Sequence, residues 1–351
     1  MDIVEVLKNA VWENVSDVFI VAGGPISYRK KGIVTRAQDD KLMPDDTEAM
    51  VKQIYAISKR DQLRDLATVD DDDFSFAIPG LSRFRVNIYK QRGSYSAVIR
   101  VISFNMPDPV QFGLPESLVK IGDTAKGLVL VTGPAASGKT TTLTCMVDYI
   151  NKTRCDHIIT LEDPIEYLHR HDQSIVSQRE IGIDTPDYVR GLRAALRESP
   201  DVILLGELRD YETISIAMTA AETGHLLLST LHTLGASNTV NRIIDVFPAN
   251  QQHQIAVQLS TVLHAVISQQ LLPTISGGMA PAFEVLFATT AVRNMIRDGK
   301  VYQLDGVIYS SQDQHMISMD SSILSLYKKG EITKETALNY AFHPETLERS
   351  L

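Results

Sequence analysis

Leu128-Val-Leu-Val131, then Gly133-Pro-Ala-Ala-Ser-Gly-Lys-Thr140, then Thr141-Thr-Leu-Thr-Cys-Met-Val-Asp148 read as an apolar strand, a glycine-bounded loop and a helix. A G-x-x-x-x-G-K-[ST] string carries chemistry where a buried strand delivers the loop to a helix N-terminus. That order is met here and predicts a P-loop. Backbone N–H groups from Ala135 through Lys139 then face a polyphosphate, and the helix dipole favours its negative charge. The expected binding residues are Gly133, Ala135, Ala136, Ser137, Gly138, Lys139, Thr140 and Thr141. Lys139 reaches the β- and γ-phosphates, and the Thr140 hydroxyl holds Mg²⁺.

Outward from the loop, residues 127 to about 288 alternate strand and helix, the α/β signature of a mostly parallel sheet. Strands are expected at 127–131, 157–161, 201–205, 225–230, 265–271 and 282–288, with crossover helices at 194–199 and 213–222. Helices at 289–298, 318–328 and 333–341 follow. Asp201-Val-Ile-Leu-Leu-Gly-Glu207 is four apolar residues followed by Gly-Glu, a Walker-B arrangement with Glu207 as Mg²⁺-water ligand or general base. Thr160-Leu-Glu-Asp-Pro-Ile-Glu166 ends on the same sheet edge, where ligands bind in open α/β folds. Glu162, Asp163 and Glu166 are its acids, and spacing does not divide the roles of base and orienting group among them. His232 closes the strand that begins near His225 and is the expected γ-phosphate sensor or transition-state donor; His225, at the other end, is structural.

Before residue 105 the pattern is α+β. A helix at 3–11 precedes strands at 16–22 and 26–32. A helix at 47–58, capped by Asp45-Asp46 or Thr47, and another at 61–66 follow. Asp70–Asp73 is expected as a solvated loop ahead of strands at 74–78, 82–89 and 95–102. Arg83 and Arg85 share one strand face, with Arg100 on the neighbouring strand. Met106 to Pro115 carries three prolines in ten residues and reads as a semi-rigid linker. The expected division is 1–105, a linker at 106–118, and 119–351.

Composition sets the class. A chain of 351 residues, 44% hydrophobic and 22% charged, is an ordinary globular one with room for two domains. Net charge of −9 argues against broad nucleic-acid binding. Two cysteines, Cys145 and Cys155, give neither a disulfide framework nor zinc-ribbon spacing. The acidic N-terminus lacks the basic region of an export signal. Ile255 to Phe283 lacks Asp, Glu, Lys and Arg over 29 residues, yet His, Gln, Pro and Gly interrupt it, so a buried helix and strand are expected rather than a membrane span.

Together these blocks resemble the secretion-superfamily ATPases, whose Walker A, Asp box, Walker B and His box look like Gly133–Thr140, Thr160–Glu166, Asp201–Arg209 and Gly224–Thr233. The likeness runs nearly end to end with the branch that retracts type IV pili in twitching motility. Val15-Ser-Asp-Val, Ser82-Arg-Phe-Arg-Val-Asn87, Asn241-Arg-Ile-Ile-Asp-Val-Phe-Pro248, Met319-Asp320 with Leu326-Tyr-Lys-Lys-Gly330, and Ala291-Val-Arg-Asn-Met-Ile-Arg297 carry it. The resemblance implies an N-terminal PAS-like domain and a C-terminal RecA-like domain in a homohexamer hydrolysing Mg-ATP. It implies a cytoplasmic location at the inner face of the membrane, against an inner-membrane pilus platform protein, without nucleic acid or membrane insertion. It makes Arg83, Arg85 and Arg100 candidate phosphate clamps. An assembly or type II secretion ATPase is the alternative on the same fold. Ala135-Ala136 depart from the usual Thr-Gly, and Phe19 from a common His.

Overall fold

The computed structural model describes residues 2–30, 32–58, 71–102, 106–311 and 316–351. The helix expected at 61–66 lies outside them. Residues divide into two compact units, Met1–Asn105 with Pro164–Leu168, and Met106–Asp163 with His169–Leu351.

The first unit runs α1 (Ile3–Trp12), β1 (Asp17–Ile20), β2 (Pro25–Lys30), β3 (Ile33–Lys41), α2 (Pro44–Ile57), β4 (Asp71–Ile78), β5 (Ser82–Gln91) and β6 (Ser94–Ile102). Its strands pair antiparallel in the order β3-β2-β1-β6-β5-β4. One face carries Phe84, Val86 and Ile99, which are buried with Ile3, Leu7 and Ala10 of α1 and Met50, Val51 and Ile54 of α2. The edge strand β3 is not legible in sequence because nearly all its residues are exposed and it shows no apolar alternation. The N-cap of α2 is Met43, with Pro44 opening the helix, rather than Asp45, Asp46 or Thr47. Asp46 lies inside the first turn, where its carboxylate accepts the Met43 N–H at 2.7 Å.

Within the acidic run, of which Asp70 lies outside the described residues, Asp71–Asp73 is strand rather than solvated loop. Asp71–Asp73 opens β4, Asp72 accepts the Tyr55 hydroxyl at 3.0 Å, and Asp73 takes the Arg85 guanidinium at 3.0 and 2.7 Å. Arg85 stands directly opposite Arg100 across the β5–β6 ladder. Like charges so placed repel. Arg100 is offset by Asp17, whose carboxylate is 3.2 Å from Arg100 Nε and 3.7 Å from Arg29. The Asp17 side chain is 8% exposed, that of Asp73 43%.

The second unit opens with α3 (Glu116–Val119) and a 3₁₀ turn at Lys120–Asp123. Then come β7 (Gly127–Thr132), α4 (Lys139–Thr153), β8 (His157–Glu162), β9 (Ile175–Glu180), α5 (Tyr188–Ala195), β10 (Val202–Leu205), α6 (Tyr211–Glu222) and β11 (Leu226–Leu231). Next are α7 (Ala236–Asp245), α8 (Ala249–Val262), β12 (Leu263–Pro273), β13 (Met279–Phe287), α9 (Thr290–Arg297), α10 (Leu304–Ser310), α11 (Met319–Lys328), α12 (Lys334–Tyr340) and α13 (Pro344–Glu348). The sheet order is β13-β12-β7-β11-β10-β8-β9, parallel except for β13.

Strands β7, β10 and β11 are buried end to end, as parallel strands covered on both faces must be. The crossover helix expected at 194–199 is α5, shifted toward the N-terminus, because Asp187 caps it by accepting the Arg190 N–H at 2.7 Å. The charge-free stretch resolves into α8, β12 and the start of β13. No helix among the described residues is long and apolar enough to cross a membrane. The stretch read as a linker packs onto this unit, with Leu114 and Leu118 buried beside Met146 and Ile150 of α4.

The contrast between the two aspartates is testable. Asp17→Ala should lower the unfolding free energy by about 1–3 kcal/mol, the cost of losing charged hydrogen bonds at a buried site. Asp73→Ala, at a half-exposed pair, should cost no more than about 1 kcal/mol. Urea unfolding midpoints read the difference.

Candidate nucleotide site

Strand register brings the carboxyl ends of β7, β11, β10 and β8 to one edge. Leu231 pairs with Thr132, Ser229 with Leu205, and Leu205 with Leu161. Gly133, His232, Gly206-Glu207 and Glu162 therefore emerge side by side. The loop after β7 bends through Gly133 (φ 143°), Ala136 (φ 59°) and Gly138 (φ 88°) into α4. A β-carbon on Gly133 would lie 2.2 Å from the Gln269 carbonyl oxygen and 2.7 Å from Ser137 Oγ, so only glycine fits. Ala136 occupies the left-handed region at a cost of about 1–2 kcal/mol.

Lys139 is buried, with its ammonium donating to the carbonyls of Gly133 at 2.9 Å and Pro134 at 2.8 Å. Burial pushes its pKa down, and the Glu207 charge opposes that shift. Ser137 is buried, and its hydroxyl makes no hydrogen bond among the described residues. Thr140 and Thr141 are half-buried on the first turn of α4.

Glu207 meets two basic side chains. Arg209 Nη2 meets its Oε1, and His232 Nε2 stands 3.5 Å from its Oε2. The turn before it is tightly built: Thr230 Oγ1 donates to the Gly206 carbonyl at 2.6 Å, and the Gly206 N–H to the Leu161 carbonyl at 2.8 Å. Glu162 Oε1 accepts Thr160 Oγ1 at 2.6 Å and Gln178 Nε2 at 3.1 Å. His225 lies at the far end of β11, its Nδ1 2.9 Å from the Ala220 carbonyl that ends α6.

Of the residues predicted from sequence, the second unit brings together the loop, Glu162, Glu207 and His232. Glu166 rides on Pro164–Leu168 and belongs to the first unit, as do Arg83, Arg85 and Arg100. Arg85 and Arg100 are engaged there with Asp73 and Asp17.

Three supporting residues escaped the sequence reading. Gln269, on β12, sets its backbone against Gly133 and accepts the Thr142 hydroxyl at 2.7 Å through its side chain. Tyr188 lies beneath the Walker-B turn, where a β-carbon on Gly206 would come within 2.6 Å of its hydroxyl. Burial, with the charges of Asp163 and Glu207, raises its pKa. Glu284 on β13 is 4% exposed and accepts the Ala236 N–H at 2.8 Å, holding the N-terminus of α7. A lone acid among the apolar residues of β13 was its only signal. Burial raises its pKa to about 7, with Asp305 and Asp320 adding repulsion.

Residues 1–338 match the family model described as type II/IV secretion system protein. The Pseudomonas aeruginosa type IV pilus retraction ATPase PilT is 42% identical over 345 residues, covering 98% of this chain and 99% of its own. PilU, a type IV pilus ATPase of the same organism, is 40% identical over 97% of this chain and 89% of its own. A crystal structure of the pilus retraction motor PilT with bound ADP superposes with a TM-score of 0.89 at 44% identity, covering 99% of both chains.

Two expectations follow from the loop and its surroundings. Ala136→Gly relieves left-handed strain of about 1–2 kcal/mol but returns roughly 0.5–1 kcal/mol of glycine entropy to the unfolded chain. A small rise in Tm should result. Glu284, with a folded pKa above the ordinary carboxylate value of 4.5, binds its proton more tightly folded than unfolded. Its contribution is fully present below that value and is lost as pH rises through about 7. The Tm advantage of Glu284→Gln over the wild type should therefore widen across that window and flatten above it, as read by calorimetry at stepped pH.

Proposed function

The chain belongs to the type II/IV secretion system protein family, and from that premise we propose that it is an ATP-hydrolysing motor that retracts type IV pili. The observation that carries the reading is the shared strand edge. It sets a P-loop with a buried lysine beside Glu207, Glu162 and His232. The loop fits a polyphosphate. Gly133 lets the loop start hard against the Gln269 backbone, where no β-carbon fits, Ser137 offers a buried hydroxyl without a partner among the described residues, and Lys139 is a cation out of water.

Thr140 and Glu207 would hold Mg²⁺, which supplies charge neutralisation at the phosphates. Glu207 orients or deprotonates the attacking water, and Glu162 or Glu166 shares that work from the Asp box. His232 donates toward the phosphate. Arg83, Arg85 and Arg100 act as clamps from the N-terminal unit. Releasing Arg85 from half-exposed Asp73 costs little, because exposed ion pairs are worth about 0–1 kcal/mol, whereas release of Arg100 leaves a buried Asp17 that Arg29 and Ser16 still contact. A supplied arginine returns about 10³–10⁵ in rate. The working form is a homohexamer, peripheral at the cytoplasmic face of the inner membrane, and it acts on the pilus platform protein there.

The reading is tested by Mg-ATP hydrolysis of the purified chain. Wild type should hydrolyse ATP, and Lys139→Ala should fall to background; equal rates would overturn it. Cells lacking the gene should be over-piliated and unable to twitch. Loss of surface pili would instead indicate an assembly motor.

A further inference from the structure

We propose that Gln178 is a positioning residue for Glu162, holding its carboxylate at the strand edge while closing the base of the Pro164–Leu168 excursion. The proposal rests on the ATPase reading above. The chain leaves the second unit after Asp163 and re-enters it at His169, and the residues between belong to the first unit. A single amide spans departure and return. Gln178 Nε2 donates to Glu162 Oε1 at 3.1 Å, and Gln178 Oε1 accepts the His169 N–H at 2.8 Å.

Register explains the reach. In the parallel β8–β9 ladder Thr160 pairs with Gln178 and Glu162 with Glu180. Thr160, Glu162 and Gln178 therefore share a face, with Glu162 one pleat further toward the edge. Thr160 Oγ1 donates to the same Glu162 oxygen at 2.6 Å. Two donors on one oxygen restrict rotation of the carboxylate and fix the direction of the other.

Thr160 is buried in β8 and cannot follow the excursion. Gln178 is bonded to the excursion's return point. Its side chain joins Glu162 to His169 directly, beside the backbone path between them. Of these donors, Gln178 is the one that also holds His169, the point at which the chain re-enters the second unit.

The test is steady-state Mg-ATP hydrolysis by the full chain carrying Gln178→Met, which keeps length and loses the hydrogen bonds to Glu162 and His169, and Gln178→Glu, which sets a second carboxylate against Glu162. Loss of a hydrogen bond to a charged group predicts a fall of about tenfold or more in kcat for Gln178→Met, with KM for ATP within about twofold. Gln178→Glu should be slower still. Amide exchange at His169 should quicken in Gln178→Met. If Gln178 only knits β9 to β8, Tm falls while kcat stays within twofold of wild type, and the proposal is overturned. Should Gln178→Met fail to fold, the isosteric Gln178→Glu decides by the same criterion. A wild-type enzyme that hydrolyses ATP through Lys139 alongside an unaffected Gln178 series sinks this proposal alone. A wild type without hydrolysis removes both.

Discussion

The site depends on how closely β12 approaches the loop after β7. Gly133 lies so near the Gln269 carbonyl that a β-carbon would stand 2.2 Å from it. The same glutamine accepts Thr142 from the first turns of α4. One residue thus fixes the beginning of the loop through its backbone and the helix after it through its side chain. With both ends held, the peptides between them present their N–H groups in one direction, and the left-handed residues at Ala136 and Gly138 complete the concavity. The parallel register of β7 with β11, and of β10 with β8, then sets the acids at the same height.

Around Glu207 the electrostatics are concentrated. Arg209 and His232 contact its carboxylate, and its charge opposes the downward shift of buried Lys139. These two contacts orient the carboxylate, the condition a base or metal-water ligand needs. The turn that carries Glu207 is held by Thr230 on the Gly206 carbonyl and lies against Tyr188, while Glu284 holds the start of the helix after the His box.

The sequence made the P-loop, the central strands and the edge positions of Glu207 and His232 legible, since buried parallel strands are continuous apolar runs and the loop has a spacing of its own. Edge strand β3 was not legible because its exposed residues carry no apolar alternation, and β9 was not because its buried positions, Val176 and Glu180, are one apolar and one acidic. Asp71–Asp73 read as loop because charge runs usually are. Their partners Tyr55 and Arg85 are distant in sequence, so only tertiary pairing makes them strand. Gln269 and Gln178 were invisible for the same reason: a glutamine's role is set by what lies across the sheet. The resemblance to secretion ATPases supplied the family, which the match over residues 1–338 bears out.

The claim that Glu207 is the working acid of this edge is tested most directly by single-turnover hydrolysis of ATP by Glu207→Gln, alongside its nucleotide affinity. The amide keeps the size and the acceptor toward Arg209 but cannot take a proton. The account predicts nucleotide binding within a few-fold of wild type and a chemical step slower by about 10²-fold or more, the usual worth of a positioned acid–base group. A single-turnover rate equal to that of wild type would contradict it.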